Sequence, residues 1–379
     1  MPGPLHGTRV LEFAGMGPGP FAGLLLADLG AEIIRIDRVP APGKNPTGPL
    51  NPVHRGRRSL AADLKSAQAV TTVLCLAETC DALIEGFRPG VMERLGLGPA
   101  ECLARRPALV YGRATGWGQS GPQAHLAGHD INYLALSGAL DPIGRRDTGP
   151  VPPVNLLGDY AAGGLYLALG ITAALLEARA SGRGQVVDAA IVDGAAHLTA
   201  TLHWQRATGA WQDGRGTNTL DTGAHFYDVY ETADHAYVSI GALEPQFYAE
   251  LRAVLALEGP EWDDPRDRSR WPELTARLAA LFRTGTREQW CARFAGHDAC
   301  FAPVLSLAEA PHHPHHRARD TFTERDGVVQ PRPAPRLSRT PGEIGCPPPA
   351  PGADSEAVLR EAGFGAEEIA GLRAAGAIA

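Results

Sequence analysis

Short apolar runs recur along the first 200 residues, each bounded by Gly, Pro or polar residues. Residues 8–13, 31–37, 81–85, 108–111 and 185–190 have strand length and are apolar on both faces, the pattern of strands covered on both sides of a sheet. Helical stretches fall between them, including 21–29 after a Gly/Pro loop, and a further helix is expected from Asp193. Strands alternating with helices predict an α/β fold on a parallel sheet with crossover helices.

The pattern changes after about residue 203. Residues 206–225 are rich in Gly, Asp and Thr with little periodicity and read as a linker. A hairpin follows, with strands at 226–230 and 236–240, then helices from Pro245 and near 271–282 and 287–294. Residues 303–351 are Pro-rich and irregular, and 354–375 suggest two short helices around Gly363, Phe364 and Gly365. The expected organisation is a large α/β domain (1–203), a linker (204–225) and a small α+β domain (226–300). A second linker (301–350) then leads to C-terminal helices (351–379) that return to the large domain. No internal repeat is visible.

One segment bears on membranes. Residues 160–176 carry no charge and reach the short edge of a spanning helix. Their Gly and Ala content suits close helix packing, so a buried core helix is expected rather than a span. The first residues show no basic stretch leading into an apolar one, so no signal peptide is read there.

Composition narrows the function classes. A net charge of −7 argues against a nucleic-acid binder, whose footprint is basic. The six cysteines (Cys75, Cys80, Cys102, Cys291, Cys300, Cys346) form no C-x-x-C pair, which points to reduced, mostly buried thiols in a cytoplasmic protein. Lys44 and Lys65 are the only lysines, so the basic residues are nearly all Arg.

Gly15 to Pro20 imitates a dinucleotide-binding turn, with Asp37 about 20 residues on. Pro20 occupies the third glycine position, where close helix–strand packing wants no side chain, and this disfavours an NAD-dependent oxidoreductase. Arg38, Arg55, Arg57, Arg58, Lys65, Arg88 and Arg94 form a basic set that either grips phosphates or is simply solvated. His312, His313, His315 and His316 sit in the Pro-rich stretch without a Cys or carboxylate at ligand spacing, and Pro314 interrupts any helical face. No metal site is expected there.

Two short stretches carry the chemistry. Gly128, His129, Asp130, Ile131, Asn132 and Tyr133 lead into an apolar run, and so do Asn155 to Tyr160 with Asp159 among them. Asp130 is placed to cap a helix starting at Ile131, and Asp159 to cap the long apolar helix. Asn155 lies four residues before Asp159 and could orient it. Glu244 precedes a helix with Pro at its first position, where capping is the plain role. A His and an Asp held across one small site could remove a proton from one face of a carbon and return it to the other.

These motifs, with Arg9-Val10-Leu11-Glu12, Ala62-Asp63-Leu64-Lys65, the run Glu85 to Val91, the run Thr115 to Pro122 and the run Ile240 to Tyr248, resemble the α-methylacyl-CoA racemases of the family III CoA-transferase superfamily. The resemblance runs the full length. It implies a large Rossmann-like domain and a small α+β domain in an interlocked homodimer, with each active site between the large domain of one subunit and the small domain of the other. It assigns His129 and Asp159 as the acid–base pair, Glu244 as the glutamate associated with the His, and Asn155 and Asp130 as their neighbours. It gives CoA binding to Arg38, Ala62, Asp63, Leu64, Lys65, Gly86, Phe87, Arg88, Arg94, Gly128, Ile131, Asn132 and Tyr133. CoA is then part of the substrate, and no cofactor is implied. The implied reaction interconverts (2R)- and (2S)-2-methylacyl-CoA through an enolate. The alternative within the superfamily is a CoA-transferase with Asp159 as nucleophile, a chemistry that does not need His129.

Overall fold

The computed structural model describes residues 3–40 and 51–379; Met1, Pro2 and Lys44 fall outside the described residues. The chain divides into two compact units. One comprises Met1–Ser137, Val154–Leu198 and Asp320–Ala379, and the other Gly138–Pro153 and Thr199–Arg319. The stretch Gly138–Pro153, which the sequence reading places within 1–203, belongs to the second unit. Its Arg145 grips Asp228 through two bonds of 3.0 and 2.9 Å, which accounts for the grouping.

The first unit opens with strand β1 (Arg9–Phe13), helix α1 (Pro18–Asp28), β2 (Glu32–Asp37), β3 (Arg57–Ala61), α2 (Ala67–Glu78) and β4 (Ala82–Glu85). It continues with α3 (Val91–Arg94), α4 (Pro99–Arg105), β5 (Val110–Thr115) and α5 (Asp130–Ser137). A π-helix (Leu156–Leu165) then runs into α6 (Tyr166–Ser181), followed by β6 (Val186–Ala190) and α7 (Ile191–Leu198). The strands form one parallel sheet in the order β3-β2-β1-β4-β5-β6.

Alternate residues of each strand enter opposite cores. Leu11, Ile34 and Leu60 pack with α2 and the C-terminal segment, while Val10, Ile33 and Val110 pack with α1 and α6. Both faces of β1, β2, β4 and β5 are therefore covered, and this is why those strands read as apolar runs rather than alternating ones, while the edge strand β6 leaves Val186 and Asp188 exposed.

Two features depart from the sequence reading. β3 carries Arg57 and Arg58 and has no apolar signature; Arg57 is nonetheless fully buried because it meets Glu12 at 2.8 Å. α1 begins at Pro18 rather than at 21, so Pro18 to Pro20 form its first turn and not a loop. Proline is favoured at that position because its missing N–H would be unpaired in any case.

The apolar segment around 160–176 is longer than its uncharged core. The helix Leu156–Ser181 has the length and composition to cross a membrane. One face, with Leu167, Ile171, Ala174 and Ala178, joins the core beneath the sheet, as in a core helix. Leu165, Leu169 and Leu176 on the other face are exposed.

The second unit holds α8 (Ala200–Ala207), β7 (Tyr227–Glu231), β8 (Tyr237–Gly241), α9 (Pro245–Leu255), α10 (Trp271–Phe282), α11 (Arg287–Phe294), β9 (Phe301–Val304) and α12 (Pro314–Ala318). β7, β8 and β9 form an antiparallel sheet, and Phe226, Trp262, Trp271, Phe282 and Trp290 dominate its core.

The chain then returns to the first unit with the hairpin β10 (Phe322–Arg325) and β11 (Val328–Pro331), α13 (Ser355–Glu361) and α14 (Ala366–Ala374). Residues 303–351 are thus less irregular than their proline content predicts. Val358, Leu359 and Ile369 complete one face of the large sheet, and Ile378 bridges Ala62. The six cysteines are all free, but only Cys80 and Cys102 are buried; Cys300 and Cys346 are exposed, against the expectation of mostly buried thiols.

Candidate active site

In a parallel sheet, ligands gather beyond the carboxyl ends of the strands, where the strand order reverses. Here the reversal lies between β1 and β4. A cavity of about 360 Å³ opens at that place. Met16, Gly17 and Pro18 line it from the end of β1, the residues Gly86 to Pro89 from the end of β4, and Ala114 to Trp117 from the end of β5. Gly128, His129 and Tyr133 close one side, and Asp159 faces in from the π-helix.

His129 is exposed and directly precedes α5. Its backbone N–H donates to Asn132 Oδ1 at 3.0 Å, so Asn132, not Asp130, caps the helix start. Tyr133 fixes the preceding turn by donating its hydroxyl to the Gly128 carbonyl. The Tyr133 ring meets Trp117 edge-on at 4.7 Å. The Trp117 indole N–H is buried without a hydrogen-bond partner among the described residues. Trp117 lies inside a motif quoted for the resemblance, yet nothing in the sequence gives it a role; only the fold brings it to Tyr133.

Asp130 corrects the sequence reading. Its carboxylate does not serve its own helix but accepts the backbone N–H of Asp159 at 2.6 Å. Asp159 is likewise no N-cap: it sits inside the π-helix, whose N-cap position is Asn155. The Asn155 side chain favours the ionised form of the Asp159 carboxyl. π-Helical turns are rare and gather at functional sites.

Two glycines make room for this arrangement. Gly17 has φ 70°, and a Cβ there would lie 3.0 Å from Asp159 Oδ2. A Cβ on Gly158 would collide with the Asp130 carboxyl. Gly17 is also the N-cap of α1, so the Asp159 carboxyl lies against a helix N-terminus, which favours its anion. Burial raises the pKa of Asp159 above the ordinary carboxylate value, and the Asp130 charge adds to it; Asn155 and His129 oppose the rise. Burial also raises Asp130, against the backbone amides of Asp159 and Gly158, which favour its ionised form.

The residues expected to bind the ligand divide into groups. Gly86, Phe87, Arg88, Gly128 and Tyr133 line the cavity. Ile131 and Asn132 are exposed on α5 outside its lining. Arg38 lies just past β2, Ala62 to Lys65 just past β3, and Arg94 ends α3. Arg38 and Ala62 to Lys65 thus share the carboxyl edge of the sheet. Arg55, Arg57 and Arg58 do not join a phosphate site: they pair with Asp28, Glu12, and Glu32 with Glu361. The buried Glu85 holds the cavity loop by accepting the Phe87 N–H at 2.7 Å while pairing with Arg113 at 2.8 Å.

Glu244 belongs to the second unit and is exposed at the N-cap position of α9, where its side chain makes no capping bond. Pro314 begins α12 rather than breaking a helical face, and His313 accepts the His315 N–H at its cap. Among the described residues, no three His, Cys, Asp or Glu side chains cluster as metal ligands.

The sequence profile of CoA-transferase family III matches residues 5–355. The chain belongs to that family. It is 48% identical over 367 residues to a mouse protein named alpha-methylacyl-CoA racemase, covering 96% of this chain and 95% of the relative. It is 44% identical to the human protein of the same name, with the same coverage. Among solved structures, a CAIB/BAIF family protein from Brucella suis matches with a TM-score of 0.83 and 24% identity over 96% of this chain and all of the other, and shows the same fold.

Proposed function

We propose that this enzyme interconverts the (2R) and (2S) forms of 2-methylacyl-CoA thioesters. The observation that carries the reading is that His129 and Asp159 face one cavity at the strand-order reversal of a fold whose relatives at 44–48% identity are named as racemases of this kind. The α-proton of a thioester is weakly acidic, so the site must supply a base and stabilise an enolate. His129 removes the proton from one enantiomer and Asp159 from the other, each returning a proton on its own face. The half-buried Asp159, raised by burial and by Asp130, suits a group that must both accept and hold a proton. The unpaired first-turn N–H groups of α5, at Asp130, suit the developing enolate oxygen; losing one such donor elsewhere costs roughly 3–4 kcal/mol.

The CoA portion would lie along the carboxyl edge of the sheet, with Arg38, Lys65, Arg88 and Arg94 as its cations and the Gly86 to Arg88 loop beneath it. Glu244 would partner His129 in an interlocked homodimer. The exposed Leu165, Leu169 and Leu176 support an interface between copies, and the free cysteines suit a cytoplasmic setting. Sedimentation tests the dimer: a monomer at micromolar concentration would remove it.

The reaction is tested by incubating one enantiomer of a 2-methylacyl-CoA in D2O, alongside His129→Ala and Asp159→Ala. Deuterium uptake at the α-carbon with loss of stereochemical purity, absent an acceptor acid, is the expected result. CoA transfer to an added carboxylic acid without exchange would instead make Asp159 a nucleophile.

A further inference from the structure

Asp130 lies next to His129 in sequence and against Asp159 in space, yet it does not line the cavity. We propose that Asp130 is the positioning residue of this site: its carboxylate anchors the first turn of the π-helix through the Asp159 amide, and by that bond sets its own charge beside the Asp159 carboxyl. This rests on the racemase reading and deepens it.

The geometry supports the anchor in two ways. The Asp159 N to Asp130 Oδ1 distance is 2.6 Å, a short hydrogen bond for an amide donor. Only a glycine fits at 158, because a side chain would displace the Asp130 carboxylate. A π-helix opens with amide groups that its own turns leave unpaired, and Asp130 supplies an acceptor for one of them from another element. The same contact fixes where His129 stands relative to Asp159, since the residue after His129 holds the backbone of Asp159.

The groups that act on Asp159 are few. Asp130 and His129 come from α5 and its approach, and Asn155 from the π-helix itself. Tyr133 lies close enough for the Asp159 charge to act on it. α1 presents the backbone of Gly17. α7 carries Asp193 and His197, the latter bonded to Tyr166 at 2.9 Å. Of these, Asp130 is the acidic neighbour whose charge works on Asp159. A like charge favours the protonated form of its neighbour. A racemase needs this, because in one direction Asp159 must donate rather than accept.

Asp130→Asn separates the two functions, keeping an acceptor oxygen for the Asp159 amide and removing the charge; Asp130→Ala removes both. The racemisation rate of each is followed against pH, and the Asp159 carboxyl is titrated by 13C NMR, its resonance assigned by its loss in Asp159→Asn. In Asp130→Asn the Asp159 midpoint and the acidic limb of kcat/KM should both move to lower pH, with kcat down about tenfold and KM little changed. Asp130→Ala should lose more in kcat. An Asp159 midpoint and acidic limb that stay at their wild-type positions in Asp130→Asn would overturn the inference, whatever the loss of rate. The NMR titration needs no turnover, so absence of α-proton exchange in the wild type would count against the racemase reading alone.

Discussion

Two acidic side chains of the first unit meet opposite company. Glu12, on β1, is completely buried and faces Arg57 at 2.8 Å. Arg57 spends its remaining donors on the carbonyls of Val53 at 2.7 Å, Arg55 at 3.1 Å and Pro20 at 2.6 Å. Asp159 is half-exposed, faces the cavity, and has another carboxylate as its close charged neighbour. The buried pair is neutralised, and although Glu12 Oε1 has no hydrogen-bond partner among the described residues, Arg57 ties the pair to three backbone carbonyls, and so it is fit for holding parts together. The open pair is left partly unsatisfied, and so it is fit for exchanging a proton. The two are connected through α1: Arg57 bonds the Pro20 carbonyl in its first turn, and Gly17 at its N-cap supports Asp159.

Removing one member of the buried pair should produce the largest stability loss. Arg57→Met leaves Glu12 charged in a dry core, and a loss of about 3–5 kcal/mol in urea unfolding is expected. Replacing both, as Glu12→Leu with Arg57→Met, should recover most of it, because no charge is then stranded. A single-variant loss below about 1 kcal/mol would break the comparison, since the pair would then hold nothing.

Asp159→Asn should behave in the opposite way. Proton-transfer groups contribute about 10²–10⁴ in rate, so racemisation should fall by at least about a hundredfold. Stability should hold or rise at neutral pH. A carboxyl whose folded pKa is raised helps the fold below its unfolded pKa and loses that help as pH rises through the folded value. At neutral pH the ionised Asp159 therefore works against folding, and the neutral amide removes that strain. A variant that loses activity only by unfolding would show a lowered Tm and would place Asp159 with the scaffold.

The sequence made some of this legible and hid the rest for physical reasons. Apolar runs gave away β1, β2, β4 and β5 because both faces of the sheet are covered there. β3 stayed hidden because the partner that buries Arg57 is 45 residues away. Trp271 to Phe282 was readable from its apolar period and the proline in its first turn, and Arg287 to Phe294 begins at a Thr286 capping box. At the site, His129 and Asp159 stood out as ionisable residues ahead of apolar runs. Their neighbourhood did not, because the link from Asp130 to Asp159 spans 29 residues and depends on a π-helix that apolar periodicity does not announce. Local capping rules therefore assigned both carboxylates to the wrong amides.

A third ionisable group, in the second unit, sharpens the contrast. His225 is fully buried among Phe226, Tyr248 and Trp262, with Nε2 3.0 Å from the Tyr248 hydroxyl and Nδ1 unpartnered among the described residues. Burial pushes its pKa down from 6.5 to about 4. The neutral form is thus the folded form: stability is complete above the unfolded value and falls as pH drops from 6.5 towards 4. The loss should approach roughly 2–3 kcal/mol over that window. Unfolding followed by tryptophan fluorescence between pH 4 and 7 measures it, and His225→Phe should flatten the profile. An unchanged slope in that variant would place the acid sensitivity elsewhere.

The smallest effect belongs to the neighbour of Arg57 on the same strand. Arg58 forks onto Glu361 at 2.6 and 2.9 Å and also reaches Glu32 at 2.9 Å, so by contact count alone it rivals Arg57. The difference is solvent: the Arg58 side chain is 26% exposed and that of Glu361 47%, against 0% for both Arg57 and Glu12. Water and salt screen the exposed pair and solvate whichever member is left behind. Arg58→Ala should therefore cost less than about 1 kcal/mol in urea, and less again at 1 M salt. A loss matching that of Arg57→Met would mean that the number of bonds, not the depth of burial, decides which ion pairs hold this sheet together.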